Sequence, residues 1–284
     1  MPGRRLRITH RTGYRYTAPV VASFNEVRMT PRDADGQTLL SHQLQVSPRA
    51  SVQAYVDYWG ALVQSFDVHD EHEVLEVVAT SLVDVPGGHV RAPGASWDDV
   101  GATTVVDRWG EFLAVTDLVD DARHDPTRAP LVDELRALPT PADAVRGAID
   151  ATRARIRYDD AATGVTTTAA QAWTIGAGVC QDYSHTLLSL LRSVGIPARY
   201  VSGYLHEEED AIGRTVVGQS HAWVEAWDGG WEGFDPTNDR AVGSAHVVVA
   251  RGRDYADVPP LKGIYAGGLS EALGVSVEIT QLPR

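Results

Sequence analysis

Apolar and polar positions alternate along the first part of the chain. Between residues 6 and 16 every second side chain is aliphatic, aromatic or uncharged, and arginines fill most of the positions between them. This is the two-residue period of a β-strand with one wet face. Similar short runs, separated by turn-forming residues, cover 44–47, 52–58, 61–68 and 74–83. Several short strands at this spacing predict a small antiparallel, β-sandwich-like domain over residues 1–85.

The hydrophobic period changes after a boundary at Pro86-Gly87-Gly88. Residues 127–138 and 142–156 have the spacing of helices. Pro141 stands at the first turn of the second helix, where its missing N–H has no partner to lose. These segments predict a helical lead-in over about residues 86–165 of a second domain that continues to residue 284.

The most regular helical pattern follows the only cysteine. After Cys180, apolar residues recur at steps of three and four, at Tyr183, Leu187, Leu190, Leu191 and Val194. Gly195 and Pro197 then end the helix. Cys180 is thus expected in the first turn of a buried helix, where unpaired N–H groups and the positive end of the helix dipole favour a thiolate.

Strands are predicted again after this helix. Residues 198–205, 220–227 and 231–235 have strand character, and Asp228-Gly229-Gly230 marks a hairpin turn between the last two. The tail adds the runs 245–250 and 275–282. Helices followed by antiparallel strands indicate an α+β domain in which the cysteine helix packs on an antiparallel sheet.

The hairpin supplies the partners that a cysteine nucleophile requires. His221 stands near the start of one strand and Asp235 at the end of the next, so antiparallel pairing is expected to bring them opposite each other. An imidazole can carry the thiol proton while a carboxylate orients the ring. Each residue alone also has a simpler interpretation: Cys180 as a small core residue, His221 as a core histidine and Asp235 as the start of a turn. His185 points away from Cys180 on the helix, and His206 borders an acidic loop, so both are weaker candidates for the base.

Composition limits the other functions. One cysteine in 284 residues excludes an internal disulfide and a zinc site built on several thiolates, and it fits a reducing compartment. A formal net charge of −13 argues against nucleic acid or an anionic membrane as a partner. The chain shows no apolar leader, membrane span or nucleotide motif, and the cluster at 69–72 offers two histidines without a third. We therefore expect a cytoplasmic protein without a cofactor or metal.

Segments around the candidate triad resemble the bacterial transglutaminase-like superfamily of cysteine enzymes. They are residues 178–183 (GVCQDY), 195–200 (GIPARY), 220–225 (SHAWVE) and 233–238 (GFDPTN). Residues 25–32 (NEVRMTPR) and 252–260 (GRDYADVPP) resemble the amino-terminal β domain and the tail of one bacterial subfamily. The similarity implies a papain-like/transglutaminase-like core preceded by the small β domain.

The same resemblance implies a role for each motif residue. Cys180 would be the nucleophile, His221 the general base and acid, and Asp235 the acceptor that orients the ring. The oxyanion would be stabilised by the Cys180 N–H and by an aromatic or amide side chain upstream. Tyr158 is our candidate for this second donor, and its simpler interpretation is a core tyrosine that ends a helix. The implied activity is thioester chemistry on carboxamide, peptide or isopeptide bonds of a protein or peptide, with protease or amidase hydrolysis favoured over glutamine–amine crosslinking by a transglutaminase. A non-catalytic binding or scaffold protein that retains the fold is the alternative of another class.

Overall fold

The chain begins with a run of antiparallel strands. The computed structural model describes residues 2–88, 92–208, 212–218 and 220–284. The first strands are β1 (Arg4–Val20), β2 (Ala22–Val27), β3 (Thr38–Ser47), β4 (Val52–Val56), β5 (Leu62–Val68) and β6 (His72–Val85). The sequence alternation sets their faces: along β1, Leu6 and Ile8 are buried, whereas Arg7 and Arg11 are exposed.

Helices occupy the middle of the chain. They are α1 (Trp97–Val100), α2 (Thr103–Trp109), α3 (Ala129–Arg136), α4 (Pro141–Arg155), α5 (Ala169–Ile175) and α6 (Cys180–Ser193), with 3₁₀ turns at Gly110–Phe112, Ala122–His124 and Tyr255–Asp257. The sequence predicted one apolar face for α6, yet Ser184, His185 and Ser189 on other faces are also fully buried. The helix is enclosed because α4 and α5 contact it as well as the sheet below. Among the described residues, no helix combines the length and hydropathy needed to cross a membrane.

The sheet below α6 forms the second half of an α+β fold, as predicted. Its strands are β9 (Ala198–Leu205), β11 (His221–Trp227), β12 (Trp231–Asp235), β13 (Arg240–Ala241) and β14 (His246–Gly252), in the order β13-β12-β11-β9-β14. All of these neighbours pair antiparallel. A short parallel pair, β7 (Arg157–Tyr158) and β8 (Ala177–Gly178), lies just before α6.

The last strands differ from the predicted domain division. The sequence pattern assigned residues 86–284 to the core, but β15 (Leu261–Ala266), β16 (Ser270–Ala272) and β17 (Ser276–Leu282) pair with β1 and β2. The strand β10 (Thr215–Gly218) then pairs with β17. The two amino-terminal sheets have the orders β10-β17-β1-β6-β3, with β16 also on β1, and β15-β2-β5-β4. The alternating pattern of a strand predicts its faces but not its partner, and β17 fits β1 because Ile279 pairs with Ile8 on the buried face.

One face of the long β1–β6 pair joins the two halves of the molecule. At one end, Tyr16 and Leu75 pack with the strands of the smaller sheet. At the other end, Leu6, Ile8 and Val83 belong to the same hydrophobic cluster as α6 and the core sheet. The apolar core is therefore continuous from the amino-terminal strands to the cysteine helix.

Candidate active site

Cys180 is the first residue of α6, as the sequence predicted, and its side chain is partly buried. The turn that precedes it is fixed by Asp182, whose Oδ2 accepts hydrogen bonds from the Val179 N–H at 2.8 Å and from Thr163 Oγ1 at 2.6 Å. Burial raises the pKa of Asp182 despite these hydrogen bonds. Gly178 also packs closely against Asp182, because a Cβ added to Gly178 would lie 2.7 Å from the Asp182 Cβ.

The hairpin β11–β12 brings His221 and Asp235 together. His221 Nε2 lies 2.8 Å from Asp235 Oδ2. The register pairs Val224 with Phe234, so Asp235 falls opposite Trp223 and is a diagonal neighbour of His221 rather than its direct partner. Diagonal positions remain within reach of long side chains. The contact that the sequence predicted is therefore present, with a register two residues from the expected one.

The ring of His221 also lies near the thiol, since both side chains line the same cleft and Cys180 contributes to the pKa shift of His221. Because Asp235 occupies Nε2, Nδ1 is the ring nitrogen left to serve Cys180. Burial alone would lower the pKa of His221, but the hydrogen bond with Asp235 and the neighbouring Cys180 and Asp235 charges outweigh it and raise this pKa to about 10. The imidazole is thus suited to carry a proton beside the sulfur.

The Asp235 carboxylate is buried and held by several donors. Its Oδ2 accepts from Asn238 Nδ2 at 2.9 Å and from His246 Nε2 at 3.3 Å, in addition to His221. Its Oδ1 accepts from the N–H groups of Thr237 at 3.1 Å and Asn238 at 3.2 Å. Burial would raise the pKa of Asp235, but these hydrogen bonds, above all those from His221 and His246, hold it well below its usual range. The group is therefore a carboxylate.

Sequence reasoning missed Asn238 and His246 as members of this site. Asn238 lies in the segment 233–238 that carries the family resemblance, so a polar side chain three residues after Asp235 was an available signal. His246 opens a strand that was predicted from its apolar residues alone. No local pattern in the sequence indicates that this strand end returns to Asp235.

Tyr158 lies beside the start of the cysteine helix. The parallel pair β7–β8 aligns it with Gly178, two residues before Cys180. Its side chain is 56% exposed and lines the same cleft as the thiol. Burial of the hydroxyl and the nearby charge of Cys180 raise the pKa of Tyr158. The phenol therefore remains protonated at neutral pH and can donate a hydrogen bond.

The two weaker base candidates lie elsewhere. His185 is a fully buried residue of α6, and its Nε2 accepts from the Tyr255 N–H at 3.2 Å. Burial, with the charge of Arg192, lowers the pKa of His185 to about 3. His206 sits at the joint between the halves, with its Nδ1 3.2 Å from Arg4 Nη1.

Metal-ligand side chains converge at one place in the described ranges. The candidate ligand atoms of His221, Asp235 and His246 all lie within 4.8 Å of one another. This group was not expected from the sequence, which offered only the cluster at 69–72, where His72 Nδ1 instead bonds the Asp70 carbonyl at 2.8 Å. The convergence has a simpler origin than a metal, since both imidazoles hydrogen-bond the same carboxylate oxygen.

A cleft of about 740 Å³ opens over the thiol, between the two halves of the molecule. The core contributes Tyr158, Val165, Cys180 and His221 to its lining. The other wall comes from the amino-terminal sheet and the strands added to it, through Tyr14, Val216, Val217, Val275 and Val277. This wall is mostly apolar, so the cleft has the polar side chains around Cys180 at its floor and a hydrophobic surface on one side.

Comparison with known proteins agrees with this arrangement. The family model "bacterial transglutaminase-like N-terminal region" matches residues 6–84, and the model "transglutaminase-like superfamily" matches residues 129–236. An uncharacterized protein of Mycobacterium leprae is 42% identical over 282 residues, which cover 98% of this chain and 99% of that protein. A protein-glutamine gamma-glutamyltransferase of Pseudomonas aeruginosa is 32% identical over 102 residues, which cover 33% of this chain and 15% of that protein.

A solved structure extends the match to the whole fold. A candidate cysteine protease from Cytophaga hutchinsonii aligns with a TM-score of 0.79 and 22% identity, covering 100% of this chain and 92% of that one. At this identity the likeness concerns the fold alone. The two family models and the fold together show that the chain belongs to the bacterial transglutaminase-like superfamily.

Proposed function

We propose that this protein is a cysteine-dependent hydrolase of carboxamide or peptide bonds in protein or peptide substrates. The observation that carries the proposal is that Cys180 and His221 line one open cleft, with His221 Nε2 hydrogen-bonded to the buried Asp235 carboxylate at 2.8 Å. A thiol beside an oriented imidazole is the arrangement that nucleophilic cysteine catalysis requires.

The proposed reaction proceeds through a thioester. The Cys180 thiol gives its proton to His221 Nδ1, and the resulting thiolate attacks the carbonyl carbon. The carbon–nitrogen bond then breaks while His221 gives that proton to the departing amine. Water then attacks the thioester, with the neutral His221 accepting its proton, and the carbon–sulfur bond breaks to release a carboxylic acid. Asp235 remains ionised throughout and keeps the proton on the Nε2 side of the ring.

Two donors are proposed for the oxyanion of each tetrahedral intermediate. The backbone N–H of Cys180 lies in the first turn of α6, where intrahelical acceptors are absent. The Tyr158 hydroxyl is the second, supported by its place on β7 beside β8 and by its raised pKa. Both donors act on charge that develops only during the reaction.

Water access favours hydrolysis over transfer to an amine. Cys180 is partly exposed and lines the open cleft, so solvent can reach a thioester formed on its sulfur. A transferase must instead protect its thioester until an amine arrives. Amine transfer is the second candidate, because the Pseudomonas aeruginosa relative with 32% identity over 102 residues is a protein-glutamine gamma-glutamyltransferase.

Intact-mass spectrometry tests the proposal. Wild type and Cys180→Ala are incubated with a glutamine-containing protein and a primary-amine probe. We expect cleavage or deamidation that requires Cys180, without incorporation of the probe. Cys180-dependent incorporation would instead establish the transferase. Identical behaviour of both proteins across a broad substrate panel, together with a Cys180 that iodoacetamide does not alkylate at neutral pH, would favour the non-catalytic scaffold.

A second variant pair isolates the imidazole. His221→Gln should abolish turnover, whereas His124→Gln, at a side chain that is 85% exposed, should leave it unchanged. Equal activity in the two variants would contradict the role given to His221.

A further inference from the structure

A second imidazole reaches the Asp235 carboxylate. His246 is the first residue of β14, and its Nε2 lies 3.3 Å from the same Oδ2 that bonds His221 Nε2 at 2.8 Å. Its side chain is 1% exposed, so it cannot contact a substrate in the cleft. The reaction described above gives this histidine no part.

The surroundings of His246 fix which nitrogen carries its proton. The Gly243 N–H donates to His246 Nδ1 at 3.3 Å, so that nitrogen must be the acceptor of a neutral ring. The proton then resides on Nε2, which faces Asp235 and donates to it. Burial lowers the pKa of His246 despite the bond to Asp235, which agrees with a neutral ring. An edge-to-face contact with Trp223, at 5.2 Å between ring centroids, holds the ring plane.

We propose that His246 is a positioning residue that acts on the catalytic pair through Asp235. The backbone N–H groups of Thr237 and Asn238 anchor Oδ1, but one anchored oxygen does not fix the plane of a carboxylate. His246 supplies a donor at Oδ2 from a different strand, and the hydrogen bond from Asn238 Nδ2 reinforces it. The carboxylate is thereby held in a plane that keeps Oδ2 toward His221 Nε2. This role rests on the proposed function, because it matters only if His221 must be aimed at Cys180.

Two substitutions separate the hydrogen bond from the packing. His246→Leu fills the space without a donor, whereas His246→Gln retains an amide N–H that can reach Asp235 Oδ2. His42→Leu is the matched control, because His42 is a partly buried imidazole on β3 that bonds Ser81 Oγ at 2.9 Å and Gln64 Oε1 at 2.8 Å. Thermal unfolding of the purified variants identifies any that fail to fold. The rate of Cys180 alkylation by iodoacetamide is measured from pH 5 to 10, and kcat and KM are measured on any carboxamide that wild type hydrolyses.

We expect His246→Leu to slow alkylation at neutral pH by about tenfold or more, the loss typical of a hydrogen bond to a charged group. The alkylation profile should also move to higher pH, because an imidazole that is no longer aimed stabilises the thiolate less. On a substrate, kcat should fall while KM stays nearly constant. His246→Gln should recover most of each effect, and His42→Leu should change none of them.

Several results would overturn the role. Leu and Gln variants that match each other, whether both impaired or both like wild type, would show that the donor is irrelevant. Hydrolysis by wild type that His246→Leu leaves intact would reject the positioning role and keep the proposed function. If alkylation depends on the donor at position 246 but the protein hydrolyses no carboxamide, the positioning role is kept and the proposed function is rejected. An inert Cys180 in wild type would reject both.

Discussion

Replacing Asp235 by asparagine tests the electrostatic design of the site with almost no change in shape. The carboxylate receives donors on both oxygens: His221, His246 and the Asn238 side chain on Oδ2, and the backbone N–H groups of Thr237 and Asn238 on Oδ1. An amide has one acceptor atom and one donor group. Neither orientation of the new side chain can therefore satisfy both sets of donors.

Each orientation carries a cost that can be worked out. If the amide oxygen faces His221, the NH₂ opposes the two backbone N–H groups, and a buried donor without a partner costs about 1–3 kcal/mol. If the NH₂ faces His221 instead, Nε2 must become an acceptor and the proton moves to Nδ1, where the ring cannot take the thiol proton. A wrong tautomer of this kind lowers kcat on the order of 10⁴-fold. We expect a loss of about 2 kcal/mol or more in unfolding free energy, a collapse of turnover, or both.

Urea unfolding and Cys180 alkylation separate the two costs. Asp133→Asn is the control, because Asp133 is exposed on α3 and the charge change is the same. The control should match wild type in both measurements. An Asp235→Asn variant with wild-type stability and a wild-type alkylation rate would refute the reasoning, since it would mean that an amide serves the site as well as a carboxylate.

Three further predictions concern other parts of the site. The folded state holds the His221 proton more tightly than the unfolded chain, because the pKa of His221 is raised to about 10. This contribution to stability should be complete below the unfolded-state pKa of about 6.5 and should disappear as the pH rises to about 10. Urea unfolding of wild type, but not of His221→Gln, should show the loss. Tyr158→Phe should lower kcat roughly 10²-fold with little change in KM or Tm, because the half-exposed hydroxyl is proposed to act only on the oxyanion; steady-state kinetics would contradict this if KM alone changed. Gly178→Ala should destabilise the protein by about 1–3 kcal/mol, because the new Cβ would lie 2.7 Å from the Asp182 Cβ and press on its Oδ2. Calorimetry beside Gly110→Ala, where no atom lies within 4 Å of the added Cβ and φ is −56°, should show a loss for Gly178 alone.

Local sequence patterns were sufficient for the elements that carry the site. The period of apolar residues after Cys180 predicted α6, and the Asp228-Gly229-Gly230 turn predicted the β11–β12 hairpin that holds His221 and Asp235. These are short-range features, in which residues that are close in the sequence contact one another. The α+β class follows from the same patterns, because a helix and a hairpin with one apolar side each can bury it only against the other.

Contacts between distant segments were not predictable in this way. His246 reaches Asp235 because β14 pairs with β9, whose place in the sheet depends on β11, and no residue near position 246 encodes that order. The tail strands were assigned to the core for the same reason. The alternation of Val277 with its polar neighbours predicts that one face of this strand is buried. The same pattern would allow the strand to pair with any sheet that has an open edge.

Through the tail strand β17, the amino-terminal sheet is also connected to the segment that precedes His221. β10 ends at Gly218, three positions before His221, and it pairs with β17, which in turn pairs with β1. The segment that leads into the proposed base is therefore attached to the amino-terminal sheet rather than to the core sheet. That sheet also supplies the apolar wall of the cleft through Tyr14, Val275 and Val277. A boundary after residue 85 thus divides the sequence patterns, whereas the proposed substrate cleft belongs to both halves, and its shape depends on how β17 seats on β1.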